Sequence, residues 1–375
     1  MPMEHYIAKT QFGLEEVLAE ELQGLGAKNI EPLNRAVAFE ADLETLYKIH
    51  LHSALCIRVI RPFHTFSAEN EEELYNEVMK INWKDYMSLQ DTFKIDAVVF
   101  SEVFTHSLYA SLKVKDAICD WFREHEDGKR PDVNIKHPNY VFSLFIKGTD
   151  VQIAIDASNA SLHQRKYRFD GGLAPLNEVL AAGMIALSYW DKKIPFVDGM
   201  CGSGTITIEA LMRVNNKPAG FERRNFGFMN WPNFDEKLWL RLKQEAEDSI
   251  KHDYPNIKGI EIDPKVFDLA KENMVRAGFK PIHHLVEGDF FDYRPREKEG
   301  VLFINPPYDE RIKDEHLNDF YKRIGDHMKQ HYKGWTAWII SSNVEARKHI
   351  GLRTAAKIKL FNGKLECRLM KFELF

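Results

Sequence analysis

The chain has 375 residues, 44% of them hydrophobic and 29% charged, with a formal charge of −5 at pH 7. This is the composition of a soluble globular protein of two or three domains, and it excludes a global attraction to a polyanion, so a nucleic-acid partner would have to meet a local basic patch. No stretch approaches the ~20 apolar residues of a membrane span, Glu15, Glu16, Glu20 and Glu21 stand where a signal peptide needs an apolar run, and Cys56, Cys119, Cys201 and Cys367 form no CxxC pair and suit a reducing cytoplasm.

In chain order, HYIAKT (5–10) and RAVAFEA (35–41) read as strands around a helix, GLEEVLAEELQGLG (13–26), closed by glycine. ALCIRVIRPF (54–63) and FKIDAVVF (93–100) carry the β-branched and aromatic residues of strands. LYASLKVKDAICDWFRE (108–124) has apolar residues at helical spacing. NYVFSLFIKGTDVQIAID (139–156) reads as a hairpin turning near Gly148-Thr149. From about residue 175 the rhythm changes. A helix (177–190) precedes the strand IPFVDGM (194–200), and KGIEID (258–263), HHLVEGD (283–289), VLFINP (301–306) and WTAWIIS (335–341) are further strands. DPKVFDLAKENMVRAG (263–278) is a helix with Asp263 as cap, Pro264 in its first turn and Gly278 at its end. Strands alternating with helices indicate an open, mostly parallel α/β sheet. The last segment, KIKLFNGKLECRLMKFELF, is a hairpin in which Asn362-Gly363 favours a type I′ turn.

FVDGMCGSGTITIEA (196–210) runs strand, glycine turn, helix. Gly202 and Gly204 allow a sharp turn and close approach of a ligand. The dinucleotide GxGxxG pattern is incomplete and no P-loop GKS or GKT follows. Asp198 would repel a pyrophosphate and suits a cationic or zwitterionic ligand; a plain strand-to-helix turn is the alternative. Glu261, at the next strand end, is placed to accept hydrogen bonds from ribose hydroxyls. Asp263 has two readings, ligand contact and helix cap. Asp289 and Phe290 suit the amine and ring of an adenine, or form a solvated turn. The long spacing from Gly204 to Glu261 makes residues 214–250 an insertion.

LFINPPYDER (302–311) ends a buried strand on Asn305-Pro306-Pro307-Tyr308. If this is the fourth strand, Asn305 faces the glycine turn across the switch point of the sheet. The Asn305 side-chain carbonyl and the Pro306 carbonyl are two fixed acceptors, and Pro306 brings no N–H of its own. Two such acceptors hold both hydrogens of a planar amine, and Tyr308 stacks on the planar group. Positioning and electrostatics then do most of the catalysis. A proline-terminated strand with a core tyrosine is the alternative. Cys201 has no adjacent His and is set aside as a nucleophile.

Residues 165–375 resemble class I S-adenosylmethionine-dependent methyltransferases, on DGMCGSGT (198–205), GIEIDP (259–264), EGDFF (287–291) and NPPY (305–308). The resemblance implies a Rossmann-like α/β fold with a seven-stranded sheet and an antiparallel C-terminal hairpin, S-adenosyl-L-methionine as cofactor, and an amino nitrogen as acceptor. It assigns Asp198, Gly202, Gly204, Glu261, Asp263, Asp289 and Phe290 to the cofactor, and Asn305, Pro306 and Tyr308 to the target amine. No metal is expected. PDVNIKHPNYVFSLFIKGTDVQIAIDASNASLHQRKYR (131–168) looks like the end of a THUMP RNA-binding domain, preceded by a ferredoxin-like element. The full chain is similar to the N-terminal, guanine-N2-methylating half of the ribosomal RNA large subunit methyltransferase L family, which the segments NFGFMNWPNF (225–234) and LAPLNEVLAAGMI (173–185) also fit. The expected division is a ferredoxin-like part (1–45), a THUMP domain (46–156), a linker (157–174) and a methyltransferase domain (175–375).

The resemblance implies methylation of guanosine N2 in 23S rRNA in the cytoplasm, by an enzyme for which a monomer is favoured. A tRNA guanine-N2 methyltransferase, a non-catalytic RNA-binding assembly factor and a protein glutamine methyltransferase are the alternatives. Because the chain stops at Phe375, the second methyltransferase of bifunctional members is expected to be absent. Residues 1–170 carry 19 Lys and Arg against 27 Asp and Glu, so RNA binding must rely on clusters. The candidates are Lys113 and Lys115, Lys129-Arg130, the run Arg165-Lys166-Tyr167-Arg168, and Arg311. Lys113 and Lys115 also read as a solvated helix face, the run as a linker bonded to domain surfaces, and Arg311 as a partner for a nearby carboxylate.

Overall fold

The structure is a computed structural model that describes residues 2–168, 176–253, 255–307 and 314–375. The N-terminal half holds β1 (Glu4–Lys9), α1 (Glu15–Gly24), β2 (Lys28–Leu33), β3 (Ala36–Ala41), α2 (Leu43–His52), β4 (Arg58–Ser67), α3 (Glu71–Met79), β5 (Thr92–Phe100), α4 (Ser107–His125), β6 (Asp132–Val133), β7 (Tyr140–Lys147) and β8 (Asp150–Asp156). These strands form one eight-stranded sheet, β2-β3-β1-β4-β8-β7-β5-β6. The join is the antiparallel β4–β8 pair, which matches Ile60 to Asp156 and Ser67 to Asp150. The boundary expected at residue 45 falls inside α2, whose start Asp42 caps by accepting from the Thr45 N–H at 2.8 Å.

The second half holds α5 (Glu178–Leu187), β9 (Phe196–Asp198), α6 (Thr205–Val214), α7 (Glu236–Asp248), β10 (Ile257–Glu261), α8 (Pro264–Arg276), α9 (Pro281–His284), β11 (Leu285–Glu287), β12 (Gly300–Ile304), α10 (Asp314–His331), β13 (Trp335–Ser341), β14 (Ala356–Asn362) and β15 (Leu365–Glu373). The sheet order is β11-β10-β9-β12-β13-β15-β14. The first five strands are parallel, and β15 lies antiparallel between β13 and β14. This is the expected seven-stranded sheet with its terminal hairpin. The turn differs in detail: Asn362 pairs with Leu365, so Gly363-Lys364 is the two-residue loop. Of the Asn362, Gly363 and Lys364 backbones only Gly363 has positive φ, at 62°, the pattern of type II′ rather than I′.

The two halves share a continuous apolar core. Leu14 packs on Gly183 of α5, where a Cβ would stand 2.5 Å from its side chain. The insertion is the second fastener. Phe228 stacks on Tyr47 of α2 at 4.5 Å, the Tyr47 hydroxyl accepts from the Asp235 N–H at 3.0 Å, and Gly220 lies directly against the His50 carbonyl.

Candidate active site

The tips of four adjacent strands, β11, β10, β9 and β12, carry Asp289, Glu261, Asp198 and Asn305 in that order across the sheet. β9 stands at the reversal of strand order, where open α/β sheets bind ligands. Phe303 pairs with Asp198, and its carbonyl accepts from the Gly199 N–H at 2.8 Å. Asn305 therefore lies two residues past that bond, beside the glycine turn.

The turn is stitched to β10. Cys201 N–H donates to the Ile260 carbonyl at 2.9 Å, Gly202 N–H to Glu261 Oε2 at 2.9 Å, and Asn273 Nδ2 to the Ser203 carbonyl at 3.0 Å. Gly202 and Gly204 have φ of 56° and 84°, which glycine adopts without steric cost. Nothing lies within 4 Å of the position a Cβ on Gly202 would take, so its backbone faces open space.

Asp198 is fully buried. Its Oδ2 accepts from Thr207 Oγ1 at 2.9 Å, and Oδ1 has no partner. Burial, reinforced by the Glu261 charge, pushes its carboxyl up to about 7. Glu261 accepts from Gly202 with one oxygen and from the Asp263 N–H with the other, at 2.8 Å. It stays partly exposed, and each oxygen keeps a second lone pair. Asn305 ends the row: its Oδ1 is buried without a partner, and Pro306 behind it is buried. Tyr308 and Arg311 lie outside the described residues.

Other expected contacts have different duties here. Asp263 caps α8, its Oδ1 accepting from the Lys265 and Val266 N–H groups at 2.8 and 3.2 Å. Asp289 caps the following turn through the Phe291 N–H at 2.9 Å. Phe290 cannot stack on a ligand as expected from the sequence, because it is 3% exposed and packs on His327 and Tyr332. The apolar side chain left open beside Glu261 is Ile262, 63% exposed, which no sequence signal singles out.

The basic run divides. Arg165 is a correction: it is 4% exposed, donates to the Leu162 and Ala54 carbonyls, and lies 3.5 Å from the buried Glu209 carboxylate. It has no face to offer a phosphate. Tyr167 donates to the same Glu209 at 3.0 Å. Arg168 donates to the Leu176 carbonyl and Thr205 Oγ1, both at 2.7 Å, and pairs with Glu178 at 3.3 Å. This ties the linker to the start of α6. Lys166 is exposed. Lys113 lies over the Tyr109 ring, Lys115 pairs with Asp116, Arg130 contacts Cys119 Sγ, and Lys129 is exposed. A cavity of about 330 Å³ lined by Glu21, His52, Glu209, Met212 and Arg213 lies at the domain junction and includes none of the strand-tip residues.

Residues 165–371 match the family described as RMKL-like, methyltransferase domain, residues 68–156 match the THUMP domain, and residues 5–60 match the RlmL ferredoxin-like domain. The chain is 38% identical over 372 residues to slr0064 of Synechocystis sp., covering 99% of this chain and 97% of that protein. It belongs to the RMKL-like methyltransferases. A relative from Methylococcus capsulatus, ribosomal RNA large subunit methyltransferase K/L, is 36% identical over all of this chain and 52% of its own length. The chain thus spans about half of the K/L relatives it matches. Among solved structures, SMU.472, complexed with SAH, superposes with a TM-score of 0.90 at 28% identity, covering 100% of this chain and 99% of that one. A Listeria monocytogenes protein designated an N6-adenine-specific DNA methylase reaches 0.89 at 28% identity, covering 100% and 97%. As an RMKL-like methyltransferase the chain uses S-adenosylmethionine, and the tips fit it: an unpartnered buried carboxylate oxygen, an open glycine backbone and an apolar side chain beside Glu261.

Proposed function

We propose that the protein transfers a methyl group to the exocyclic N2 of a guanosine in 23S rRNA. The observation that carries this reading is the buried, unpartnered Asn305 Oδ1 beside the glycine turn. A buried acceptor without a donor costs about 1–3 kcal/mol, and a substrate N–H removes that cost. Asn305 Oδ1 and the Pro306 carbonyl accept the two hydrogens of the amine. Held this way, the nitrogen pyramidalises and turns its lone pair toward the electrophile. S-adenosylmethionine, when bound, supplies an electrophilic methyl on sulfur. Asp198, Gly202, Gly204 and Glu261 hold it, with Ile262 as an apolar support, and the amine proton leaves to water. The base is rotated out of its stack, at a cost of a few kcal/mol that is least in loops. In the N-terminal half the exposed Lys129, Arg130 and Lys166, with the half-buried Lys113, suit the RNA backbone.

The amine grip alone is chemically equal for adenine and guanine. The guanosine reading rests on the sequence resemblance to the guanine-N2-methylating half of the methyltransferase L family, and rRNA as substrate is supported by the name of the K/L relatives. Nucleoside mass spectrometry of rRNA and tRNA, from cells with and without the protein, tests it. The expected result is loss of N2-methylguanosine from 23S rRNA alone. Loss from tRNA alone would move the reading to a tRNA enzyme, and loss of an N6-methyladenine would overturn it.

A further inference from the structure

The terminal hairpin rises beside the catalytic strand tips. Through the register, Ile304 pairs with Ile339, and Asn305 stands level with Ile340, Leu369 and Ile358. Phe361 lies three residues further along β14, about 10 Å higher at ~3.4 Å per residue, and three strands aside, about 14 Å at ~4.8 Å per strand. The top of β14 is therefore roughly 17 Å from Asn305, on the open side of the sheet.

The N-terminal domain meets β14 there. Gly13, at φ 86°, lies so close that a Cβ would stand 2.5 Å from the Lys359 carbonyl oxygen. Phe12 packs edge-on to Phe361 at 5.6 Å. From the β2–β3 turn, the Arg35 guanidinium lies 5.3 Å from the centre of the Phe361 ring. Lys359 Nζ is 5.2 Å from the same ring and 5.9 Å from Phe12.

Three features exceed what a latch between domains requires. Arg35 sits at φ 57°, a left-handed conformation that costs free energy glycine would not lose. Its backbone is pinned there, the N–H donating to Glu15 Oε1 at 3.0 Å and the carbonyl accepting from the Thr10 N–H at 2.9 Å. Two cations converge on one ring, although like charges repel. Among the described residues no carboxylate pairs with Arg35, which is exposed; Lys359 has Glu366 at 2.7 Å. A guanidinium stacked on a ring still presents N–H donors in a fork that matches phosphate oxygens.

We propose that Arg35 and Lys359, braced on Phe12 and Phe361, are a phosphodiester clamp for the RNA strand flanking the target base. The N-terminal domain then completes the substrate site of the methyltransferase domain in the same chain. This rests on the RNA reading above, and the test separates the two.

Binding of an unmodified 23S rRNA transcript is measured against salt, with KM for RNA, S-adenosylmethionine affinity and melting temperature, for Arg35→Gly, Arg35→Lys, Lys359→Ala and Lys371→Ala. Glycine removes the left-handed strain, so Arg35→Gly should melt no lower than wild type while its KM for RNA rises about tenfold. Each phosphate that is no longer neutralised lowers the salt slope by about 0.7–0.9. Lys359→Ala should behave likewise. Arg35→Lys should retain the slope, and Lys371→Ala, at the far end of the hairpin, should change nothing. Unchanged RNA affinity and slope in Arg35→Gly and Lys359→Ala would overturn the clamp. So would an affinity that falls only together with melting temperature, which marks a latch. If the wild-type protein itself binds no RNA, the reading of its function has failed and the clamp with it.

Discussion

Asp198 illustrates how one buried atom couples stability to ligand. Its folded carboxyl titrates near 7 against an ordinary value of 3.8, so the folded protein holds this proton more tightly than the unfolded chain. The contribution is fully present below about pH 4 and is lost as pH rises toward 7. Asp198→Asn should therefore stabilise the protein at pH 8 by on the order of a few kcal/mol and raise its melting temperature. S-adenosylmethionine affinity of the wild type should weaken as pH falls below 7, and the variant should bind poorly at every pH without that slope. Calorimetric melting and titration calorimetry across pH 5.5–8.5 check both, and an Asp198→Asn protein of unchanged melting temperature would contradict this coupling. At this scale the sequence was legible wherever a residue's duty is local. Asn305 and the glycines follow from the strand end, and the cap at Asp263 from Pro264. Phe290 was not legible, because His327 of α10 and Tyr332 just beyond that helix, which bury it, come more than 35 residues later. Ile262 carried no signal, since an exposed isoleucine is ordinary.

At the scale of elements, the segment from Ser158 to Arg168 is a bracket more than a linker. Arg165 and Tyr167 converge on Glu209 of α6, whose carboxyl burial pushes up, while Arg168 reaches Thr205 at the start of the same helix. Basic and aromatic residues in alternation resemble a nucleic-acid contact, and the partner that decides otherwise for Arg165 lies 44 residues on, out of reach of any local pattern. Arg165→Ala should leave Glu209 buried with its charge uncompensated. The expected loss is about 3–5 kcal/mol of stability, with RNA affinity of the folded fraction unchanged. Denaturant unfolding paired with RNA titration checks this, and weakened RNA binding at full stability would contradict it. The insertion between Gly204 and Glu261 was recognisable from spacing, but its docking on α2 through Phe228 and Tyr47 was not.

Across the whole molecule, periodicity and the terminal hairpin sufficed for an open, mostly parallel sheet with an antiparallel end, and the family resemblance supplied its seven strands. They did not reveal that ferredoxin-like and THUMP strands share one sheet, because β4 and β8 pair across about 90 residues and leave no local trace. The common core joins this acidic N-terminal half to the methyltransferase domain, so the proposed RNA contact has to rest on individual cations rather than on net charge.

In the proposed reaction two acceptors at the β12 tip hold the amine. Single-turnover methyl transfer to unmodified 23S rRNA, by purified wild type and Asn305→Ala at saturating S-adenosylmethionine and RNA, tests it most directly. The expected result is N2-methylguanosine from the wild type, a rate at least about 100-fold lower in the variant, and unchanged cofactor affinity. Equal rates for the two proteins would contradict it.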